Sequence, residues 1–184
     1  RASRAGSTDV FESLPDIPRL FTALAEWGAA LVYVFVVARS ASSNALNPNA
    51  AVPRWRLAAA AVGGLVVLVG AQELLGRAPL SLWVPGMMTA YALVWCVIRV
   101  GTALDWRWVT HMSARAFIVA ELAASLAWQV VVYSHADKPY WRPLSFGGFA
   151  AIASTCLAVV YFFERRVYRQ GALPILRVSD LASG

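Results

Sequence analysis

The 184-residue chain is 59% hydrophobic and only 14% charged, with a mean hydropathy of +0.59, against the roughly one-quarter charged residues usual in a soluble domain. A bilayer core about 30 Å thick takes about 20 apolar residues per helix, and five such stretches consume most of the sequence. These numbers exclude a secreted disulfide scaffold, a disordered tail and a soluble enzyme on a single anchor, and they point to an all-α integral membrane protein, a bundle of about five transmembrane helices with short loops.

Residues 1–19 read as an N-terminal surface arm, with Asp16-Ile-Pro18 as a helix-start signal at its end. Its opening RASRAGST, rich in Arg and Ser and free of acids, is compatible with the stub of a processed leader or with trimmed numbering. The bundle is expected over residues 20–163. Span one runs from about Leu20 to Ala38 and is followed by a Ser-, Asn- and Pro-rich loop carrying Arg39, Arg54 and Arg56. Span two covers about Leu57 to Leu75, and a short connection at Gly76-Arg77 and Pro79 makes a hairpin with span three, about Leu80 to Val100, with Pro85 near its start. After Asp105-Trp106-Arg107-Trp108, span four runs from about Ala114 to Tyr133 and span five from about Phe146 to Phe163. Residues 164–184 form a short basic tail.

Fifteen of the sixteen basic residues are arginine, Lys138 being the lone lysine, and most flank the apolar stretches. Charge so placed belongs at lipid headgroups, which argues against nucleic acid as a partner. Nine basic residues fall on one side of the spans (Arg39, Arg54, Arg56, Arg107, Arg115, Arg165, Arg166, Arg169, Arg177) and six on the other (Arg1, Arg4, Arg19, Arg77, Lys138, Arg142). Positive residues are retained in the cytoplasm, so the expected topology is N-terminus out and C-terminus in, in a bacterial plasma membrane or an organellar inner membrane. Trp55, Trp83, Trp106, Trp108, Trp141 and Tyr168 fall near span ends, where amphipathic rings sit well. No internal repeat is visible, so inverted-repeat transporter logic has no support.

Several membrane chemistries lack their side chains. A retinal Schiff base needs an intramembrane lysine, and Lys138 falls in a loop. His111 and His135 stand at opposite ends of span four, about 36 Å apart along a helix, and cannot share a haem. Cys96 and Cys156 form no CxxC, and neither HExxH nor Gly-x-Ser-x-Gly occurs. Gln72-Glu73-Leu74-Leu75-Gly76-Arg77 resembles the EExxxR element of the CAAX-processing intramembrane peptidases, with Gln for the first Glu. That family also needs a Phe four residues before a histidine; here Arg107 precedes His111 and Val131 precedes His135. The motif then reduces to a Glu73 to Arg77 pair near a helix end. No cofactor and no metal site is indicated.

What remains is a set of polar groups inside apolar stretches, each costly at membrane depth and for that reason a candidate site. Glu26 and Glu73 lie one to two turns from the outer face and are expected to snorkel or pair. Arg99, near the inner end of span three, and Glu121, two turns inside span four from the same face, are expected to form an interhelical ion pair. Glu121, Ser125 and Gln129 recur at i, i+4 and i+8 and share one helix face. Small residues at Gly63 and Gly64 in span two, and at Gly147, Ala151 and Thr155 in span five, are expected to pack helices closely. With no catalytic set and almost no extramembrane mass, the leading expectation is a noncatalytic accessory or assembly subunit of a larger membrane complex, a bioenergetic one among the candidates, with other membrane subunits and the lipid bilayer as partners. The rival is a small transporter, channel or sensor built on the polar residues of span four.

Overall fold

A computed structural model describes residues 18–43, 52–102, 104–134 and 143–169. The described elements are all helical, and among the described residues five helices are long and apolar enough to cross a membrane. They are α1 (Arg19–Ser43), α2 (Arg54–Leu75), α3 (Trp83–Gly101), α4 (Trp106–Ser134) and α5 (Pro143–Arg169). The arm before residue 18 and the tail beyond residue 169 lie outside the described residues.

Prolines stand at the starts of α1, α2 and α5. The Pro18 carbonyl accepts the Phe21 amide at 2.8 Å, the Pro53 carbonyl accepts the Arg56 amide at 3.0 Å, and Pro143 occupies the first position of α5, where its missing N–H and fixed φ cost nothing. The α2–α3 hairpin closes through a turn at Gly76-Arg77 and a single 3-10 turn at Leu80–Leu82. The largest differences from the expected bounds fall in α4 and α5, while α1 also runs on from Ala38 to Ser43. α4 begins at Trp106, eight residues before Ala114, because Trp106-Arg107-Trp108 continues into the helix and does not form a loop. α5 continues past Phe163 to Arg169, so Glu164 belongs to the bundle and not to the tail.

α1 is the hub, packed against all four other helices, which follow one another around it in the order α2, α3, α4, α5. Alanine makes this possible: Ala23, Ala25, Ala29 and Ala30 are buried on α1, and Ala116, Ala120, Ala124 and Ala127 on α4. Such small side chains let backbones approach where lipid offers no hydrophobic drive for helix association. At one end Phe21 stacks on Phe149, ring centroids 4.1 Å apart, and lies 6.3 Å from Trp128, tying α1, α5 and α4 together. At the other end Gly101 lies so close to α1 and α2 that a Cβ there would meet Val34 at 2.7 Å and Ala60 at 3.0 Å.

The expected packing residues divide. Gly64 packs, with Val97 about 3.0 Å from where its Cβ would stand, but Gly63 and Gly147 face no described atom within 4 Å, and Ala151 and Thr155 are exposed. The stripe on α5 points away from the bundle because Phe149 and Ala153, on the opposite face, turn inward instead. Large apolar side chains such as Val66, Leu74, Val84, Met88, Ile118, Leu122, Phe162 and Phe163 form the outer surface. That surface would be costly in water and suits a hydrocarbon surrounding.

One irregularity stands out in α2, whose Ala59–Gly63 segment is π-helical. Across it, the Trp27 indole donates to the Ala61 carbonyl at 2.7 Å. A π turn loosens the local carbonyl ladder, and the indole supplies a donor at that level.

Candidate functional site in the bundle interior

Glu26 is fully enclosed at the meeting of α1, α2 and α4. It cannot snorkel, because it faces the bundle interior and not the outer surface. The Gln72 amide of α2 donates to Glu26 Oε1 at 2.8 Å, while Glu26 Oε2 is buried with no partner among the described residues. Glu121 of α4 also carries a buried oxygen, Oε1, with no hydrogen-bond partner among the described residues. The similar level of the two carboxyls follows from the aromatic contact between Phe21 and Trp128: Glu26 lies five residues beyond Phe21, about 7.5 Å, and Glu121 seven residues before Trp128, about 10.5 Å, on antiparallel helices.

The expected Arg99–Glu121 pair does not form. With α4 starting at Trp106, Glu121 stands fifteen residues in, about 22 Å from that end, whereas Arg99 is two residues from the end of α3 and exposed. Glu73 is exposed as well, and Arg77 lies in the turn beyond the helix, so the i, i+4 pair is absent too. The Glu121 stripe turns outward along α4: Ser125 is half-buried and Gln129 exposed.

A second polar cluster lies nearer the opposite end of the seam. Glu164 is buried on α5, paired with Arg115 of α4, and accepts a hydrogen bond from the Tyr33 hydroxyl of α1 at 3.1 Å. Its Oε2 has no partner. Tyr33 follows Glu26 by seven residues, two helical turns, and so shares its face of α1 about 10 Å further along. Beyond it, Arg39 donates to the Tyr161 hydroxyl at 2.9 Å. Together these residues form a graded line of polar groups along α1, separated by a layer of alanine that includes Ala29, Ala30, Ala116 and Ala120.

Sequence reasoning missed Gln72 as a partner, and it missed Glu164, Arg115 and Tyr33 as a cluster. The available signal was Glu164 itself, an acid directly following an apolar run and preceding Arg165-Arg166. Gln72 is also the one amide inside span two. A cavity of about 70 Å³, lined by Arg19, Gln72, Leu75, Trp83, Gly86 and Met87, reaches Gln72 from the α2–α3 hairpin end. Among the described residues no group of three or more His, Cys, Asp or Glu side chains could hold a metal ion.

No protein-family model, no curated protein and no solved structure matches this chain.

Proposed function

We propose that the chain is an integral membrane protein that binds a proton or small cation between α1, α2 and α4, and that it acts as a small transporter or sensor. The observation that carries this reading is the buried, unpartnered carboxyl oxygen on each of Glu26 and Glu121. Two carboxyls on different helices stand at a similar level of an apolar bundle, each with a buried oxygen that has no partner among the described residues; Gln72 is a neutral donor to Glu26, and no described arginine pairs with either. Unpaired carboxylates are expensive there, and a proton or a cation is the species that removes the expense. The cavity behind Gln72 supports access from one side, and the Glu164 cluster supports a second polar station toward the other.

The topology proposed is N-terminus out and C-terminus in, in a bacterial plasma membrane or an organellar inner membrane. In a variant with Cys96 and Cys156 replaced by alanine, an impermeant maleimide added to intact cells should label Arg77→Cys and spare Asp105→Cys, two exposed positions at opposite ends of the bundle. The reverse pattern overturns the orientation.

The functional reading is tested in liposomes enclosing a pH-sensitive dye, with a potassium diffusion potential as the driving force. Wild-type protein should carry protons, or show Na⁺- or K⁺-dependent melting if it binds without transport. Glu26→Gln and Glu121→Gln should lose the effect. Variants equal to wild type, or a wild type that neither carries protons nor responds to either cation, overturn it.

The accessory-subunit reading keeps one observation in its favour: the Gly147, Ala151 and Thr155 face of α5 is uncovered, with open space at Gly147. Close packing is how helices associate in lipid. In mild detergent a subunit would migrate with other chains above 19.9 kDa, and Gly147→Leu would release it; a wild-type monomer removes this second reading.

A further inference from the structure

An apolar groove of about 150 Å³ runs between α2 and α3, bordered by Ala59, Gly63 and Val67 on one helix and Leu93, Cys96 and Val100 on the other. It exists because α2 presents small residues there: a Cβ at Gly63 would meet nothing within 4 Å. From Ala59 to Val67 the groove spans about 12 Å of helix, a stretch suited to part of an acyl chain.

The groove ends at a cationic site. Arg56 lies one turn before Ala59 and Ala60, on the same face of α2. Its Nε donates to the Val100 carbonyl at 2.8 Å, and its Nη2 to the Arg99 carbonyl at 3.2 Å, which covers the exposed carbonyls at the end of α3. Among the described residues Nη1 has no acceptor. Arg99 extends from that same helix end, exposed and without an acidic partner among the described residues, and Arg54, two residues before Arg56, is exposed as well. Trp55, also exposed, occupies the same helix end, the level at which amphipathic rings mark a headgroup region.

We infer that this groove is a binding site for one anionic phospholipid, with an acyl chain along Gly63 and Val67 and the headgroup phosphate on Arg56 Nη1 and Arg99. Charge complementarity selects the occupant. A zwitterionic lipid would fill the groove equally well but brings no net charge to the arginines, and basic pockets between membrane helices recognise anionic headgroups. Arg56 thus joins the α2–α3 packing to the lipid, since one guanidinium holds both the end of α3 and the phosphate. The inference rests on the bilayer-spanning reading but not on the carboxyl site.

The test is the melting temperature of the full chain in mild detergent with added phosphatidylglycerol, phosphatidylcholine of the same acyl chains, or glycerol phosphate. Phosphatidylglycerol should raise it, and the other two should not. Arg99→Gln and Gly63→Leu should abolish the increase while leaving the lipid-free melting near wild type, because both positions are exposed. Arg56→Gln should lose the increase and also melt earlier, since α3 loses its cap. Equal shifts from both lipids, an equal shift from glycerol phosphate, or a full phosphatidylglycerol shift in both Arg99→Gln and Gly63→Leu overturn the site. A chain that stays dispersed without detergent overturns the membrane reading itself, which separates the two failures.

Discussion

Arg115 of α4 forms an ion pair with Glu164 of α5, and the Tyr33 hydroxyl of α1 donates to the same carboxylate. Three helices thus converge on one buried side chain. The Arg115 side chain is 49% exposed and the Glu164 side chain 4%, so the arginine is partly screened while the glutamate depends on it.

Removing one partner should therefore cost more than removing both. Arg115→Leu strands Glu164 in the interior, at a cost of roughly 1–3 kcal/mol, whereas Arg115→Leu with Glu164→Leu leaves no orphan charge and should recover much of the loss. Melting in detergent reads both, and strictly additive losses would show that the pair is not coupled.

The Gln72–Glu26 contact follows the same logic in neutral form. Gln72→Leu leaves Glu26 without a hydrogen-bond partner and should destabilise the bundle by about 1–3 kcal/mol. Adding Glu26→Leu should restore stability while abolishing any proton or cation effect. A double variant that keeps the transport or binding signal would move that signal away from α1.

Glycines should separate by what a side chain would meet. Gly101→Ala places a methyl group 2.7 Å from Val34, between three helices, and should cost on the order of 1–3 kcal/mol. Gly147→Ala, in open space, should change stability by less than about 0.5 kcal/mol. Equal melting shifts in the two variants would contradict the packing described around α1.

Trp27→Phe retains most of the ring and removes the indole donor to Ala61. The expected cost is about 1 kcal/mol, and amide exchange should rise in residues 59–63 before it rises elsewhere in α2. Unchanged exchange there would mean that the indole does not steady the π turn.

Composition and run length were enough to foresee an all-helical chain with five helices of membrane-spanning length. Those properties are local: an apolar backbone removed from water satisfies its N–H and C=O groups within its own helix, so about 20 apolar residues in sequence suffice to specify one. Glu26 and Glu121 could likewise be singled out in advance, because an acid within an apolar run is costly wherever its neighbours lie. Which groups meet was a different matter. When every face of a helix is apolar, no hydrophobic stripe marks the inward side, so nothing local shows that α1 is the hub or that Phe149, and not Gly147, faces it. Helix ends mattered as much. Starting α4 eight residues earlier carried Glu121 away from Arg99 to the level of Glu26, and extending α5 to Arg169 brought Glu164 from the expected tail into contact with Arg115 and Tyr33. Rotation and axial register are properties of packed helices, and only the tertiary structure decides them.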